Sequence, residues 1–238
     1  SVSFIAPNLL DSITVKQGPS STLYGAGAMG GVVGLSSQSF DGLFLSVGFQ
    51  FNNKMQQTMI AYGNDDISTA VMYRKAENAK DGKGDELNSA YQQISGLFKY
   101  QQYISGLNIE LSLLPSYGNN IGKSSRQYPD IRISSYPEEL HNLSQIKINN
   151  KQNWLVKFYH HYQNWQSSVE RINQRQNVTN YQAHTLGGSY VMPHQLLAGH
   201  GRLGLDWLGR RGVAISEKEF NEQGEHQSSD ELINGQQD

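Results

Sequence analysis

Cysteine is absent from this 238-residue sequence, so disulfide frameworks, thiolate metal sites and cysteine nucleophiles are excluded together. Neither sign of charge is in excess. Lys and Arg total 19 against 21 for Asp and Glu, and the balance of -2 creates no polyanion-binding field. Nucleic acid is therefore not an expected partner. No stretch approaches the run of about 18 apolar residues that a spanning helix needs, and residues 1–10 lack the basic start and long apolar core of a signal peptide. A membrane form of this chain would have to cross with strands. Hydrophobic residues reach only 37%, low for a compact soluble domain, yet aromatic residues make up 10% and Gly numbers 24. That combination points to β-structure.

Two textures divide the chain. Residues 12–34, SITVKQGPSSTLYGAGAMGGVVG, set apolar pairs between turn formers and read as short strands with tight turns. From about Phe40 onward the pattern becomes period-two alternation, the mark of strands with two unlike faces. Leu107, Ile109, Leu111 and Leu113 alternate with Asn108, Glu110 and Ser112. Leu43, Leu45, Val47, Phe49 and Phe51 form a second apolar stripe, and Leu203, Leu205 and Trp207 a third. Each segment has about the ten residues that a tilted transmembrane strand requires. Trp154, Val156, Phe158, His160 and Tyr162 share one parity and place aromatic rings at both ends of a face, like the girdles of a membrane barrel.

Connection lengths alternate as well. Short links fall near residues 63–66, 101–105, 149–152 and 193–197, with longer polar stretches at 77–88, 118–139, 166–181 and 210–238. Outer-membrane barrels have short turns on one side and long loops on the other. Only the short link near residues 52–55 breaks the scheme. A soluble β-sandwich would also show alternating strands, but the loop alternation and the scarcity of aliphatics on the polar faces favour a membrane barrel. The expectation is about nine strands, with residues 1–39 preceding them and residues 40–238 forming the strand region, which ends in a long loop.

The run DSITVKQGPSSTLYGAGAMGGVVGLSS resembles the closing motif of the plug in TonB-dependent outer-membrane receptors: a short strand, a Gly-Pro turn, Tyr-Gly, then a Gly-Gly-Val strand. The matching positions are Gly18, Pro19, Ser20, Tyr24, Gly25, Gly30, Gly31 and Val32. The resemblance implies an all-β chain that joins the C-terminal part of a plug to a partial transmembrane antiparallel β-barrel, about nine strands of a roughly 22-stranded whole. It also implies energy-coupled uptake of a scarce large solute, most often a ferric siderophore, with haem or cobalamin as other options. The implied partners are the TonB complex of the inner membrane, acting through a segment before Ser1, and outer-membrane lipid in a Gram-negative bacterium. No cofactor and no catalytic residue is implied. Where the family has Glu in the plug strand and Arg before Gly-Pro, this chain has Thr14 and Gln17, which puts a plug-to-wall ion pair in doubt.

Other motifs carry less. Gly25, Gly27 and Gly30 spell G-x-G-x-x-G, but the following GVVGLSS is β-branched, whereas a dinucleotide site needs a helix N-terminus there. His160 and His161 are adjacent in a strand and point to opposite faces, so they cannot share a metal ion; His161 and His184 could both face a lumen. Arg126, Tyr128 and Arg132 in one long connection, with Arg171 and Arg175 in a later one, are the candidate ligand-binding residues, because cations and aromatic rings suit anionic, ring-bearing iron chelates. Two other functions stay open: a passive barrel or adhesin, and a soluble carbohydrate-binding or hydrolytic β-sandwich.

Overall fold

The computed structural model describes residues 4–18, 30–196 and 199–233, apart from the side chains of residues 195, 196 and 200. A short 3-10 turn, Pro7–Leu9, leads into a hairpin of β1 (Leu10–Gln17) and β2 (Gly31–Ser37), which pair only with each other. The remaining strands form one sheet: β3 (Gly42–Gln50), β4 (Met55–Gly63), β5 (Ile67–Ala76), β6 (Tyr91–Ile104), β7 (Leu107–Gly122), β8 (Arg132–Asn150), β9 (Leu155–Arg171), β10 (Arg175–Leu196), β11 (Gly199–Asn221) and β12 (His226–Ile233). Every strand pairs antiparallel with its neighbour in sequence, which leaves β3 and β12 as the edges of a ten-stranded meander. Such an open, sequential sheet is the wall of a partial β-barrel.

Local chemistry sets the turns. Between β6 and β7, Ser105 and Gly106 have φ of 51° and 85°, the two positive values of a two-residue hairpin turn whose twist matches its strands. Between β4 and β5, the Asn64 side chain accepts from the backbone N–H of Asp66 (3.0 Å) and Ile67 (2.9 Å), closing an Asx turn. At the opposite end lie the β5–β6 and β7–β8 loops.

The alternation resolves into two unlike faces. On the outer one, Leu43, Leu45 and Val47 of β3 lie opposite Tyr62, Ile60 and Thr58 of β4, and the stripe continues through Val71, Phe98, Leu111, Ile146 and Phe158. These side chains are exposed, Leu43 at 78% and Leu205 at 76%. The inner face carries the core. Met59, Ala61, Ala70, Met72 and Leu97 are buried beneath Ala6, Leu9 and Phe40 of the N-terminal segment. Burying a leucine such as Leu9 contributes about 1.5–3 kcal/mol, so this contact fixes the segment to the inner side.

Two expectations are corrected. β12 forms within residues 210–238, where composition predicts a polar loop, and the described sheet has ten strands, in line with about nine. Likewise the loop expected at residues 166–181 is a turn at residues 172–174 between β9 and β10. The physical reason is that polar side chains do not end a strand when they satisfy one another across it. Gln166 Nε2 donates to Asn180 Oδ1 (2.8 Å), Gln176 Nε2 to Ser168 Oγ (2.8 Å) and Asn177 Nδ2 to Glu217 Oε1 (2.7 Å). With 22 residues in β10, the strand runs roughly 70 Å at the usual rise. That is well over twice a hydrocarbon core of about 30 Å.

Candidate functional site

The N-terminal hairpin sits against the inner face through three kinds of tie. The Phe4 carbonyl accepts from Gln93 Nε2 (2.9 Å) and Ser95 Oγ (3.5 Å), while its ring stacks on His141 at 4.2 Å. Lys99 Nζ donates to the Ser37 carbonyl (3.3 Å) and to Ser39 Oγ (2.9 Å), and Phe40 N–H donates to Ser68 Oγ (3.0 Å). Leu9 supplies the apolar contact described above. Of the motif residues, Thr14 pairs with Gly34 and Gln17 with Gly31; both side chains are exposed and make no hydrogen bond among the described residues. Gly18, at φ 91°, closes the hairpin with Gly30 through its N–H (3.4 Å). Gly31 is held at φ 140°, and a Cβ there would stand 2.4 Å from the Lys16 carbonyl oxygen. Pro19, Ser20, Tyr24 and Gly25 lie outside the described residues.

A polar row crosses the inner wall under Phe4. His141 Nε2 meets Glu139 Oε1 at 3.1 Å, His141 Nδ1 meets His161 Nε2 at 3.0 Å, and His161 Nδ1 meets Gln163 Nε2 at 2.9 Å. His184 is not part of it, which corrects the expectation that it could share a lumen with His161. It pairs in register with Tyr162 and its ring bonds His160 (3.0 Å) on the outer face. The odd and even parities of β9 separate these histidines.

Higher on the inner face, three of the five candidate ligand residues come together. Arg132 of β8, Arg171 of β9 and Arg175 of β10 are direct cross-strand neighbours. Like charges so placed repel, and they are only partly neutralised. Arg175 Nη1 bonds Glu219 Oε2 at 2.8 Å, Arg132 Nε donates to Ser134 Oγ at 3.0 Å, and Arg171 has no side-chain partner among the described residues. Arg126 is exposed in the β7–β8 loop. Tyr128 instead ties two loops: its hydroxyl donates to Glu86 Oε1 (3.1 Å) and accepts from Asn78 Nδ2 (3.4 Å). Loss of solvent, with the Glu86 carboxylate beside it, raises this phenol above its ordinary pKa.

Below the arginines runs an aromatic ladder that sequence reading missed. Trp165 and Tyr181 are register partners stacked at 4.8 Å and 14°, and Tyr136 joins Trp165 at 5.6 Å. A bulge between Ser135 and Glu138 re-aims Tyr136 to reach them. Lys123 Nζ lies 4.1 Å from the centre of the Tyr136 ring, a cation–π geometry. The ladder was hidden because residues 166–181 read as loop; once the turn is placed at Asn173, Trp165 and Tyr181 are equidistant from it. The arrangement offers a wall that can hold a flat ring and hold negative charge above it. Among the described residues no group of three His, Asp or Glu could hold a metal ion.

Comparison with known proteins is consistent with this geometry. Residues 1–32 match the family described as TonB-dependent Receptor Plug Domain. Heme/hemopexin utilization protein C of Haemophilus influenzae strain 86-028NP is 32% identical over 162 residues, 58% of this chain and 23% of the relative. The protein of the same name from strain ATCC 51907 is 35% identical over 124 residues, 46% of this chain and 17% of the relative. This chain therefore spans less than a quarter of the relatives it matches. With its N-terminal match, these relatives and an N-terminal hairpin seated on the inner face of a sequential antiparallel sheet, the chain is similar to the TonB-dependent receptors.

Proposed function

We propose that this chain is the plug-to-barrel portion of an outer-membrane receptor that imports haem, free or released from a carrier, into a Gram-negative cell. Residues 1–39 are the end of the plug and residues 40–238 the start of the barrel. The outer stripe meets lipid, and the inner-membrane TonB complex supplies the energy by displacing the plug. Ligand binding biases a two-state plug and mechanical work completes its movement. No covalent step is needed, and the protein is a transporter rather than an enzyme.

The single observation that carries the reading is the opposition of faces. The N-terminal hairpin is seated on the inner face through Leu9 and Phe4, while the apolar stripe opposite stays bare. For the cargo, the relatives' names favour haem over the ferric siderophore that the family resemblance puts first. The Tyr136–Trp165–Tyr181 ladder beneath Arg132 and Arg171 suits a flat, anionic ring. A catecholate siderophore would suit the same wall, and growth separates the two. The full-length receptor should let a haem-uptake-deficient Gram-negative host grow on haem as sole iron source, only when TonB is intact. Growth on ferric catecholates but not on haem would overturn the cargo, and growth without TonB would overturn the coupling.

A further inference from the structure

We propose that a recess between the β7–β8 loop and the inner wall is the subsite that takes the carboxylates of the cargo, and that it fixes how the ring lies on the wall. The inference rests on the haem reading above. The recess has a volume of about 340 Å³ and is lined by Lys123, Arg132, Tyr136 and a set of serines that includes Ser134 and Ser167. No acidic residue is among its described lining.

Its shape is held before any ligand arrives. The Lys123 N–H donates to the Ser134 carbonyl (2.9 Å), and buried Asn88 donates from Nδ2 to the same carbonyl (2.7 Å). Arg132 spends Nε on Ser134 Oγ, which orients the guanidinium and leaves its terminal nitrogens unbonded among the described residues. Lys123 is parked over the Tyr136 ring and forms no salt bridge among the described residues. The inward carboxylate of Glu139 feels the Lys123 charge but is bonded to His141 at 3.1 Å. Two cations among hydroxyl donors, with no carboxylate in the described lining, make a site for an anion with several acceptor oxygens, and guanidinium geometry favours a planar carboxylate.

Position makes the assignment specific. The recess lies directly above the ladder, so a ring resting against Tyr136, Trp165 and Tyr181 would carry acidic substituents on its upper edge into the recess. The ladder spans three strands, roughly 10 Å at the usual spacing. Arg171 in the next strand, without a side-chain partner among the described residues, adds positive potential beside Arg132. Haem has two carboxylates on one edge and a flat apolar body, which is the polarity this wall presents.

The test uses the full-length receptor in detergent, titrated with haem and with haem dimethyl ester, in which both carboxylates are blocked. The wild type should bind haem about tenfold or more tightly than the ester, since charge-assisted hydrogen bonds are lost. The double variant K123Q/R132Q should lose that preference while keeping the ester affinity, which also shows that it is folded. The variant W165A should weaken both ligands and leave their ratio unchanged. Equal binding of haem and ester by the wild type, or a preference that survives in K123Q/R132Q, would overturn the subsite but leave haem as cargo. Binding of neither compound by the wild type would overturn the cargo reading and the subsite with it.

Discussion

Gly31 and Gly30 are neighbours with different obligations. At Gly31 the backbone has φ 140° and an added methyl would meet the Lys16 carbonyl oxygen at 2.4 Å; at Gly30 a methyl would meet nothing within 4 Å. Gly31→Ala should therefore destabilise the β1–β2 hairpin by about 1–3 kcal/mol, whereas Gly30→Ala should be nearly silent. Amide hydrogen exchange of residues 10–17 in the full-length receptor would read the difference; equal protection in both variants contradicts it. The glycine-dense motif was legible in the sequence, but which glycine is indispensable was not, because that depends on where the Lys16 carbonyl lies. The same holds for the tie to the wall. That Thr14 and Gln17 carry no charge could be read directly, while the ties that the N-terminal segment makes to the wall could not. A backbone carbonyl at Phe4 accepting from Gln93 and Ser95 leaves no trace in residue type. Phe4 is 6% exposed, and truncating such a ring typically costs about 3–5 kcal/mol of packing. Phe4→Ala should accordingly speed proteolysis of the N-terminal segment of the folded receptor while leaving the strands resistant; an unchanged cleavage rate would show that the clasp contributes nothing.

Strands were the most legible elements, and their lengths the least. Period-two alternation located each stripe and assigned its face, since a one-residue slip would turn every side chain over. It stopped being informative where both faces turn polar. Gln166 and Asn180 fall in the stretch read as loop, yet they continue β9 and β10 because backbone pairing persists and their amides bond across the strands. The aromatic ladder and the arginine row both depend on that continuation: Trp165 meets Tyr181, and Arg171 meets Arg175, only when the turn sits at residues 172–174. Val71 lies within the stripe of β5 and is 54% exposed. Val71→Arg should cost about 2–4 kcal/mol if that stripe lies at the bilayer midplane. Reversible folding of the full-length receptor into lipid vesicles measures this, and a cost near zero would mean that the stripe does not face lipid.

At the scale of the whole chain, the decisive feature is an open sheet. Among the described residues β3 pairs only with β4 and β12 only with β11, so each end of the meander presents unpaired N–H and C=O groups. In water such edges recruit other strands. In a bilayer, where no water satisfies them, each unpaired group costs several kcal/mol, so only a closed barrel is a stable spanning form. Ten strands bearing an apolar stripe on one face and an N-terminal hairpin on the other satisfy neither solvent unless the edges find partners. Expressed by itself and refolded with detergent, the 238-residue chain should therefore associate through β3 and β12 rather than persist as a monomer. Sedimentation in density-matched detergent would show species of two or more chains, and hydrogen exchange would find the β3 and β12 edges more protected than a free edge allows. A stable, dispersed monomer in plain buffer would mean that the exposed stripe is compatible with water, and the membrane-barrel reading of these strands would fail with it.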